Sequence, residues 1–342
     1  MPGISRLSPP IAALAGRLAG ELDGRRRTAL ADVLGKRPSV QSSDPGTPVT
    51  DLLHARLEPG DRAAVVALMA GSAAELHAGA GEATRRRLEL NHAAAFGPDA
   101  VRERLGLRSA MPPDEVHSMA RSWVATGGDT FIADLVLAAF ESAGRPLPPD
   151  GSVLDFGSSS GRVLRILAAA RPDLRCLGCD PNADAIAWAS AHLPGTYFVS
   201  SLAPPLDLPD GSLDAVYAVS IWSHFAERSA LEWLVEMARI VRPGGALVLT
   251  THGWDALAAR LRRGTTGRGT VREAAQSLMV HGHHFVDVFG PEGDWGVRDP
   301  GWGDAYFTAD WLIPRTQRDW SLELLWPAAI DGAQDLFVLR RR

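Results

Sequence analysis

A short run of acidic, small and glycine residues is the part of this chain best suited to binding a ligand. Residues 153–162 read VLDFGSSSGR, so an apolar run ends at Asp155 and a glycine-containing turn leads into a helical pattern. Glycine lets a ligand lie close to the main chain, and the free N–H groups at a helix start can bind a carboxylate or phosphate. Asp180 ends the next apolar run, where its carboxylate could accept both hydroxyl groups of a ribose. These residues predict a site for a nucleotide-like ligand at the edge of a parallel sheet.

Two widespread phosphate-binding motifs do not match this run. The dinucleotide pattern G-x-G-x-x-G would require glycine where the chain has Ser159 and Arg162. The P-loop pattern G-x-x-x-x-G-K-[ST] is absent from the sequence. The run is therefore a poor match to a pyrophosphate site and excludes a P-loop.

Residues 155–161 resemble motif I of the class I S-adenosylmethionine-dependent methyltransferases, in which an acid is followed by G-x-G-x-G. Residues 180–182 (DPN) look like that family's ribose-binding acid. Residues 208–216 (LPDGSLDAV) look like the approach to the fourth strand, and residues 242–249 (RPGGALVL) like the turn into the fifth. The resemblance is specific because all of these motifs occur in the expected order.

The resemblance implies S-adenosyl-L-methionine as the cofactor and assigns residues to its parts. The acid and small residues of motif I would hold the methionine and sugar portion, Asp180 would bind the ribose, and Ser201 or a backbone carbonyl would bind the adenine amino group. In place of the middle glycine the chain has Ser159, whose Cβ fits only if its φ is negative. The predicted cofactor residues are Thr126, Gly127, Gly128, Asp155, Gly157, Ser158, Ser159, Gly161, Asp180, Pro181, Ser201 and Ser220.

Two histidines are candidates for catalysis. Methyl transfer from a sulfonium is an in-line displacement, and a general base helps when the acceptor is a hydroxyl group. His224 follows the fourth predicted strand and His252 the fifth, so both lie at the edge where ligands bind in such folds. The alternatives are an anchor at a helix start for His224 and a structural turn residue for His252.

The elements that must position these residues alternate between strand and helix after about residue 114. Apolar runs at 152–156, 174–179, 196–200, 214–219 and 246–251 are separated by helical patterns, which predicts a parallel sheet covered on both faces. Residues 321–326 and 334–339 predict an antiparallel pair at its edge. With the resemblance, the prediction is an α/β fold with a seven-stranded, mostly parallel Rossmann-like sheet and an antiparallel edge strand.

The chain divides into two predicted parts. Residues 1–118 form an alanine-rich, all-helical extension with a linker near 36–50, and residues 119–342 form the methyltransferase domain. A cap-like insertion near 254–310 could cover the acceptor site. Within it, Trp295, Trp302 and Tyr306 either line an acceptor pocket or form the core of a subdomain. Its histidines lack the usual ligand spacings, so no metal site is expected.

Composition limits the possible partners. A formal charge of −5 gives no broad basic field, so nucleic acid is not a favoured partner. The N-terminal apolar stretch is interrupted by Arg17, which argues against a signal peptide or membrane span and favours a cytoplasmic protein. Cys176 and Cys179 fall three apart on a predicted strand, so their thiols point to opposite faces and cannot share a partner.

The sequence therefore predicts an S-adenosylmethionine-dependent methyltransferase acting on oxygen, nitrogen or carbon of a small-molecule acceptor. The N-terminal helices could also form a homodimer contact. One alternative is a catalytically silent protein that binds the same cofactor as a regulatory partner. Another is an aminopropyltransferase, which is disfavoured because no acidic cluster for a polyamine follows the fourth strand.

Overall fold

The computed structural model of the protein describes residues 45–108, 110–113, 116, 129–264, 267–294 and 298–342. Of the residues predicted above to have a role, Thr126, Gly127, Gly128 and Trp295 lie outside the described residues. The predicted boundary at 118 and most of the predicted linker also lie outside them.

A single mixed sheet of nine strands forms the centre of the fold. Its first five strands are parallel and run in the order β3-β2-β1-β4-β5. β9 lies antiparallel between β5 and β8, which confirms the predicted seven-stranded arrangement and its antiparallel edge pair. β6 and β7 form an additional hairpin that meets the end of β5 where His252 pairs with Tyr306. The strands are β1 (Ser152–Phe156), β2 (Arg175–Asp180), β3 (Thr196–Val199), β4 (Leu213–Ala218), β5 (Val241–His252), β6 (His283–Val286), β7 (Asp304–Phe307), β8 (Trp320–Ile330) and β9 (Gln334–Arg341).

The strands form where the sequence has continuous apolar runs, because a strand covered on both faces buries nearly every side chain. β1 is buried along its whole length, with Val153 in one hydrophobic cluster and Leu154 in the other. Cys176 and Cys179 also fall in opposite clusters, which confirms that the two thiols face away from each other.

The helices begin and end at residues with recognisable capping chemistry. Pro59 begins the second helix, where Glu58 and Asp61 form a reciprocal capping box. Asn182 caps the helix after β2 by accepting a hydrogen bond from the Ala185 N–H. The helices are α1 (Pro48–His54), α2 (Pro59–Ala67), α3 (Ser72–Gly79), α4 (Glu82–Phe96), α5 (Asp99–Leu105), α6 (Thr130–Ser142), α7 (Leu164–Ala170), α8 (Ala183–His192), α9 (Glu227–Ile240), α10 (Trp254–Arg263), α11 (Arg268–His281) and α12 (Ala309–Thr316).

The N-terminal helices pack directly on the sheet. Apolar side chains of α1, α2, α4 and α5 belong to the same hydrophobic cluster as α6, α7 and one face of the sheet. Asp134 of α6 is fully buried and accepts hydrogen bonds from the Thr50 N–H at 2.8 Å and from Arg87 Nε at 2.8 Å. Residues 48–50 are the first turn of α1, so the predicted linker was wrong there: burying Val49 and Thr50 orders that segment.

The other face of the sheet is covered by α9, α12 and the segment that follows β3. α10 and α11 form a small separate cluster with Tyr306, so the structure places Tyr306 in the core of the inserted segment. Within the described residues, no helix is long and apolar enough to cross a membrane.

Candidate active site

A cavity of about 300 Å³ opens at the carboxyl ends of β1, β2, β3 and β4. Its position is the one expected of a ligand site in an open parallel sheet. Its walls are formed by Asp155, Phe156, Gly157, Ser158, Ser159, Arg162, Val163, Asp180, Pro181, Asn182, Ser200, Ser201, Leu202, Val219, Ser220, Ile221, Phe225, Trp233, Asp294, Asp299 and Trp302. Of the nine predicted cofactor residues that the structure describes, eight line this cavity and Gly161 does not.

The turn after β1 is held against β2 by main-chain hydrogen bonds. The N–H groups of Gly157 and Ser158 both donate to the carbonyl of Cys179 at 2.9 Å. Gly157 has a φ of +85°, and a Cβ at this position would lie 2.2 Å from Cδ1 of Ile221. A glycine is therefore required both by the backbone conformation and by the close approach of the segment after β4.

Ser159 adopts a positive φ of +47°, so its side chain is accommodated in a left-handed conformation, contrary to the expectation that it would fit only with a negative φ. Its N–H donates to Oδ2 of Asp180 at 2.9 Å, a charge-assisted hydrogen bond that holds the residue in this conformation. Oδ1 of Asp180 accepts a second hydrogen bond, from the Asn182 N–H at 2.9 Å. Asp180 thus joins the turn after β1 to the start of α8 while facing the cavity.

Asp155 is almost completely buried at the base of the cavity. Burial and, less strongly, the nearby charge of Asp180 raise its pKa, Tyr217 and Arg162 lower it, and the net result is a pKa of about 7. Arg162 is itself hydrogen-bonded to the carboxylate of Asp129, so it only partly compensates a charge on Asp155.

Gly161 does not line the cavity, contrary to its predicted role in cofactor binding. Its φ is +75°, and a Cβ there would lie 2.6 Å from Leu193 and 3.0 Å from the hydroxyl of Tyr197. The last glycine of the motif instead allows the turn to pack against β3 and the segment just before it. Sequence could not separate the two roles, because both require a residue without a side chain.

Ser220 follows β4 at the opposite wall, in a left-handed conformation with a φ of +61°. Its N–H donates to Oγ1 of Thr250 at 2.8 Å, and its hydroxyl accepts a hydrogen bond from Nε2 of Gln334 at 2.9 Å. Oγ1 of Thr250 donates to Oε1 of Gln334 at 2.7 Å, which closes the network. β4, β5 and β9 together fix this wall, although only Ser220 was predicted as a site residue.

The inserted segment supplies the outer wall. Its residues 301–305 pair with residues 223–226 after β4, through the hydrogen bonds Ala226 N–H to Gly301 O and Ala305 N–H to Ser223 O, both 2.8 Å. This pairing places Trp302, Asp294 and Asp299 on the cavity. The sequence indicated the insertion near 254–310 as a possible acceptor cap, but it did not single out Asp294 and Asp299.

His224 lies behind this wall rather than in it. Its ring stacks on Trp302 with centroids 4.7 Å apart, and Nδ1 lies 2.7 Å from the carbonyl oxygen of Gly303. Nδ1 must carry the proton of this hydrogen bond, because the carbonyl can only accept. Burial lowers the pKa of His224, so the ring is neutral near pH 7 and orients Trp302.

His252 lines a second cavity, of about 360 Å³, together with Arg260, Arg263 and Gln334. Its Nδ1 lies 3.2 Å from Oδ1 of Asp304, without the alignment of a hydrogen bond. Burial alone would raise the pKa of Asp304, but His252 and Arg260 outweigh it and lower that pKa to about 2. Gln334 lines this second cavity and Ser220 the first, so the hydrogen bond between them marks the boundary of the two.

A family model described as a methyltransferase domain matches residues 154–249, from β1 into β5. Residues 154–249 therefore form a methyltransferase domain, and the predicted resemblance to the class I S-adenosylmethionine-dependent methyltransferases is confirmed. Within the described residues, no group of three or more His, Cys, Asp or Glu side chains could hold a metal ion.

Three curated relatives illustrate the range of similar proteins. An uncharacterized methyltransferase of Mycobacterium sp. (strain JLS) is 31% identical over 182 residues, 52% of this chain and 66% of that protein. The malonyl-acyl-carrier-protein O-methyltransferase of Methylococcus capsulatus is 30% identical over 136 residues, 38% of this chain and 46% of that protein. The ribosomal RNA large subunit methyltransferase G of Streptomyces coelicolor is 30% identical over 166 residues, 44% of this chain and 43% of that protein. The chain thus spans less than half the length of the last two relatives.

Proposed function

We propose that this chain is an S-adenosylmethionine-dependent methyltransferase that methylates a small-molecule acceptor. The observation that carries the proposal is the joint placement of Asp155, Asp180 and the glycine-containing turn on one cavity at the carboxyl edge of the sheet. Each oxygen of Asp180 accepts one backbone N–H, and a carboxylate oxygen has about two acceptor sites, so both oxygens can still accept a ribose hydroxyl. The cavity volume lies at the lower end of the range of about 300–1,000 Å³ for a single small ligand.

Different residues of the chain would contact different parts of the cofactor. Asp180 would bind the ribose, and the main chain of Gly157 and Ser158 would lie along the sugar and methionine portion. Ser201 faces the same cavity near the end of β3. When bound, S-adenosylmethionine supplies an electrophilic methyl group on a sulfonium sulfur. Trp302, braced by His224, and the buried Phe225 would keep water away from that end of the cavity.

In-line transfer requires the acceptor to touch the cofactor's methyl group, so we place the acceptor against the hydrogen bond between Ser220 and Gln334, where the cofactor cavity adjoins the second cavity. His252 is the residue there that can accept a proton from a hydroxyl acceptor, with Asp304 beside its Nδ1. His224 would act as a positioning residue for Trp302, because its Nδ1 is occupied by the Gly303 carbonyl. The net charge of −5 favours a small acceptor over the RNA named for one relative.

Calorimetry with S-adenosylmethionine tests the cofactor assignment. We expect binding in the micromolar range for the wild type and a loss of more than tenfold for Asp180→Ala, because that substitution removes a charge-assisted acceptor. Asp150→Asn, an exposed residue before β1, is the control. Absence of binding up to millimolar cofactor would refute the proposed function.

The acceptor class is tested by measuring the release of S-adenosylhomocysteine in the presence of pooled small molecules or of ribosomal RNA. The same assay distinguishes an enzyme from a protein that binds the cofactor without transferring its methyl group. With an acceptor in hand, His252→Gln should lower turnover at saturating acceptor by about 10²–10⁴-fold if a hydroxyl is methylated. Cofactor affinity should stay unchanged, as in the remote, exposed control His192→Gln. Full turnover by both His252→Gln and His252→Ala would eliminate the general-base role.

A further inference from the structure

The wall of the cofactor cavity carries an excess of negative charge. Asp180, Asp294 and Asp299 face it, together with Asp155, whose raised pKa leaves it only partly ionised near pH 7. Among the described lining residues Arg162 is the one cation, and its guanidinium is already paired with Asp129. The described part of the wall therefore has three carboxylates besides Asp155 and no unpaired cation.

The two outer carboxylates are fixed in place without being neutralised. Oδ1 of Asp299 accepts a hydrogen bond from the Gly301 N–H at 2.7 Å. Oδ2 of Asp294 accepts one from the indole N–H of Trp302 at 3.2 Å. These donors are dipoles rather than charges, and within the described residues neither carboxylate forms a salt bridge. Both side chains are held on the half-buried wall by the inserted segment.

Asp180, Asp294 and Asp299 would act on the same occupant. A cavity of about 300 Å³ holds one small ligand rather than two. Inside a water-poor cleft, charges act over longer distances than they do in bulk solvent. A single positive charge anywhere on the ligand is therefore attracted by the whole wall.

We propose that Asp294 and Asp299 make this cavity selective for the charge on the cofactor's sulfur. This inference rests on the proposed function, in which S-adenosylmethionine carries a sulfonium. On methyl transfer the electron pair of the broken C–S bond stays on sulfur, so the product, S-adenosylhomocysteine, has a neutral thioether. The wall attracts the substrate form and loses that attraction when the methyl group leaves, so the inserted segment favours product release.

Calorimetry at low salt with three ligands tests this inference. The ligands are S-adenosylmethionine, S-adenosylhomocysteine and sinefungin, in which a protonated amine stands in place of the sulfonium. The wild type should bind the two cationic ligands at least tenfold more tightly than the neutral product. Raising the salt concentration should reduce that preference, because screening weakens interactions between charges.

The isosteric substitutions Asp294→Asn and Asp299→Asn should each reduce the preference for the cationic ligands roughly tenfold. A change of this size is expected when one of two unit charges about 10 Å apart is removed at an effective dielectric constant near 20. Affinity for S-adenosylhomocysteine should change less than about twofold, because asparagine still accepts the same hydrogen bonds. Asp150→Asn is the matched control and should leave the preference unchanged. Melting curves confirm that each variant is folded.

Two results would overturn the inference: a wild type that binds S-adenosylhomocysteine as tightly as S-adenosylmethionine, or a preference that survives in both variants. A failure of all three ligands to bind would instead refute the proposed function. The two failures are therefore distinguishable in one set of titrations.

Discussion

Replacing Asp155 with asparagine should stabilise the protein without cofactor and weaken its binding of cofactor. Asp155 is buried, and burial with the neighbouring Asp180 raises its pKa from 3.8 to about 7. The groups that face it are Tyr217, Arg162 and Asp180. Ionising Asp155 in the fold is unfavourable because burial removes its carboxylate from water and because Arg162 is shared with Asp129.

The sign and size of this effect follow from proton linkage. Between about pH 4 and pH 7 the unfolded chain loses the Asp155 proton while the folded chain keeps it, so the free energy of unfolding falls as the pH rises. At 1.36 kcal/mol for each pH unit, the change of pKa from 3.8 to about 7 corresponds to a cost of up to about 4 kcal/mol. At about 2 °C per kcal/mol for a domain of this size, Asp155→Asn should melt roughly 8 °C higher at pH 8. Below pH 4 the two proteins should melt alike.

The assay is thermal unfolding of wild type and Asp155→Asn between pH 4 and pH 8, without cofactor. Asp150→Asn, at an exposed site, controls for the loss of an aspartate. A difference in melting temperature that does not grow with pH would refute the reasoning, since it would show that Asp155 ionises as easily in the fold as in water. Calorimetry at pH 8 should then show weaker cofactor binding by the more stable variant.

Three further substitutions test the local geometry. Gly157→Ala should abolish measurable cofactor binding, because its Cβ would lie 2.2 Å from the side chain of Ile221. The control Gly144→Ala, with a φ of +68° and open space around it, should cost only about 1–2 kcal/mol of stability. Equal losses for the two variants in urea unfolding and calorimetry would contradict the steric argument. Ser159→Gly should raise the free energy of unfolding by about 1 kcal/mol, because glycine adopts a positive φ without strain. Its cofactor affinity should be nearly unchanged, and a large loss of affinity would show that the Ser159 hydroxyl contacts the cofactor. Gln334→Leu should lower the free energy of unfolding in urea by about 1–3 kcal/mol, because it removes the amide that donates to the Ser220 hydroxyl. An unchanged free energy of unfolding would mean that water replaces the amide.

Much of the cofactor wall could be predicted from the sequence because its residues lie at the ends of strands. Asp155 closes the apolar run of β1 and Asp180 that of β2, so their place at one edge follows once the strands are parallel. The backbone angle of Ser159 could not be predicted, because it depends on a hydrogen bond to Asp180, which lies on another strand. Gly161 was misassigned because a glycine that admits a ligand and one that admits Leu193 look the same in sequence.

The sequence by itself determined the parallel sheet, the family and the inner half of the cavity, since strand periodicity and turn chemistry are local properties of the chain. Only the tertiary structure decided which distant residues complete that cavity. Asp294 and Asp299 line this cavity because the inserted segment pairs with residues 223–226. His252 lines a different cavity because Ser220 and Gln334 lie between the two cavities. Such contacts join residues far apart in the chain, and no local pattern in the sequence records them.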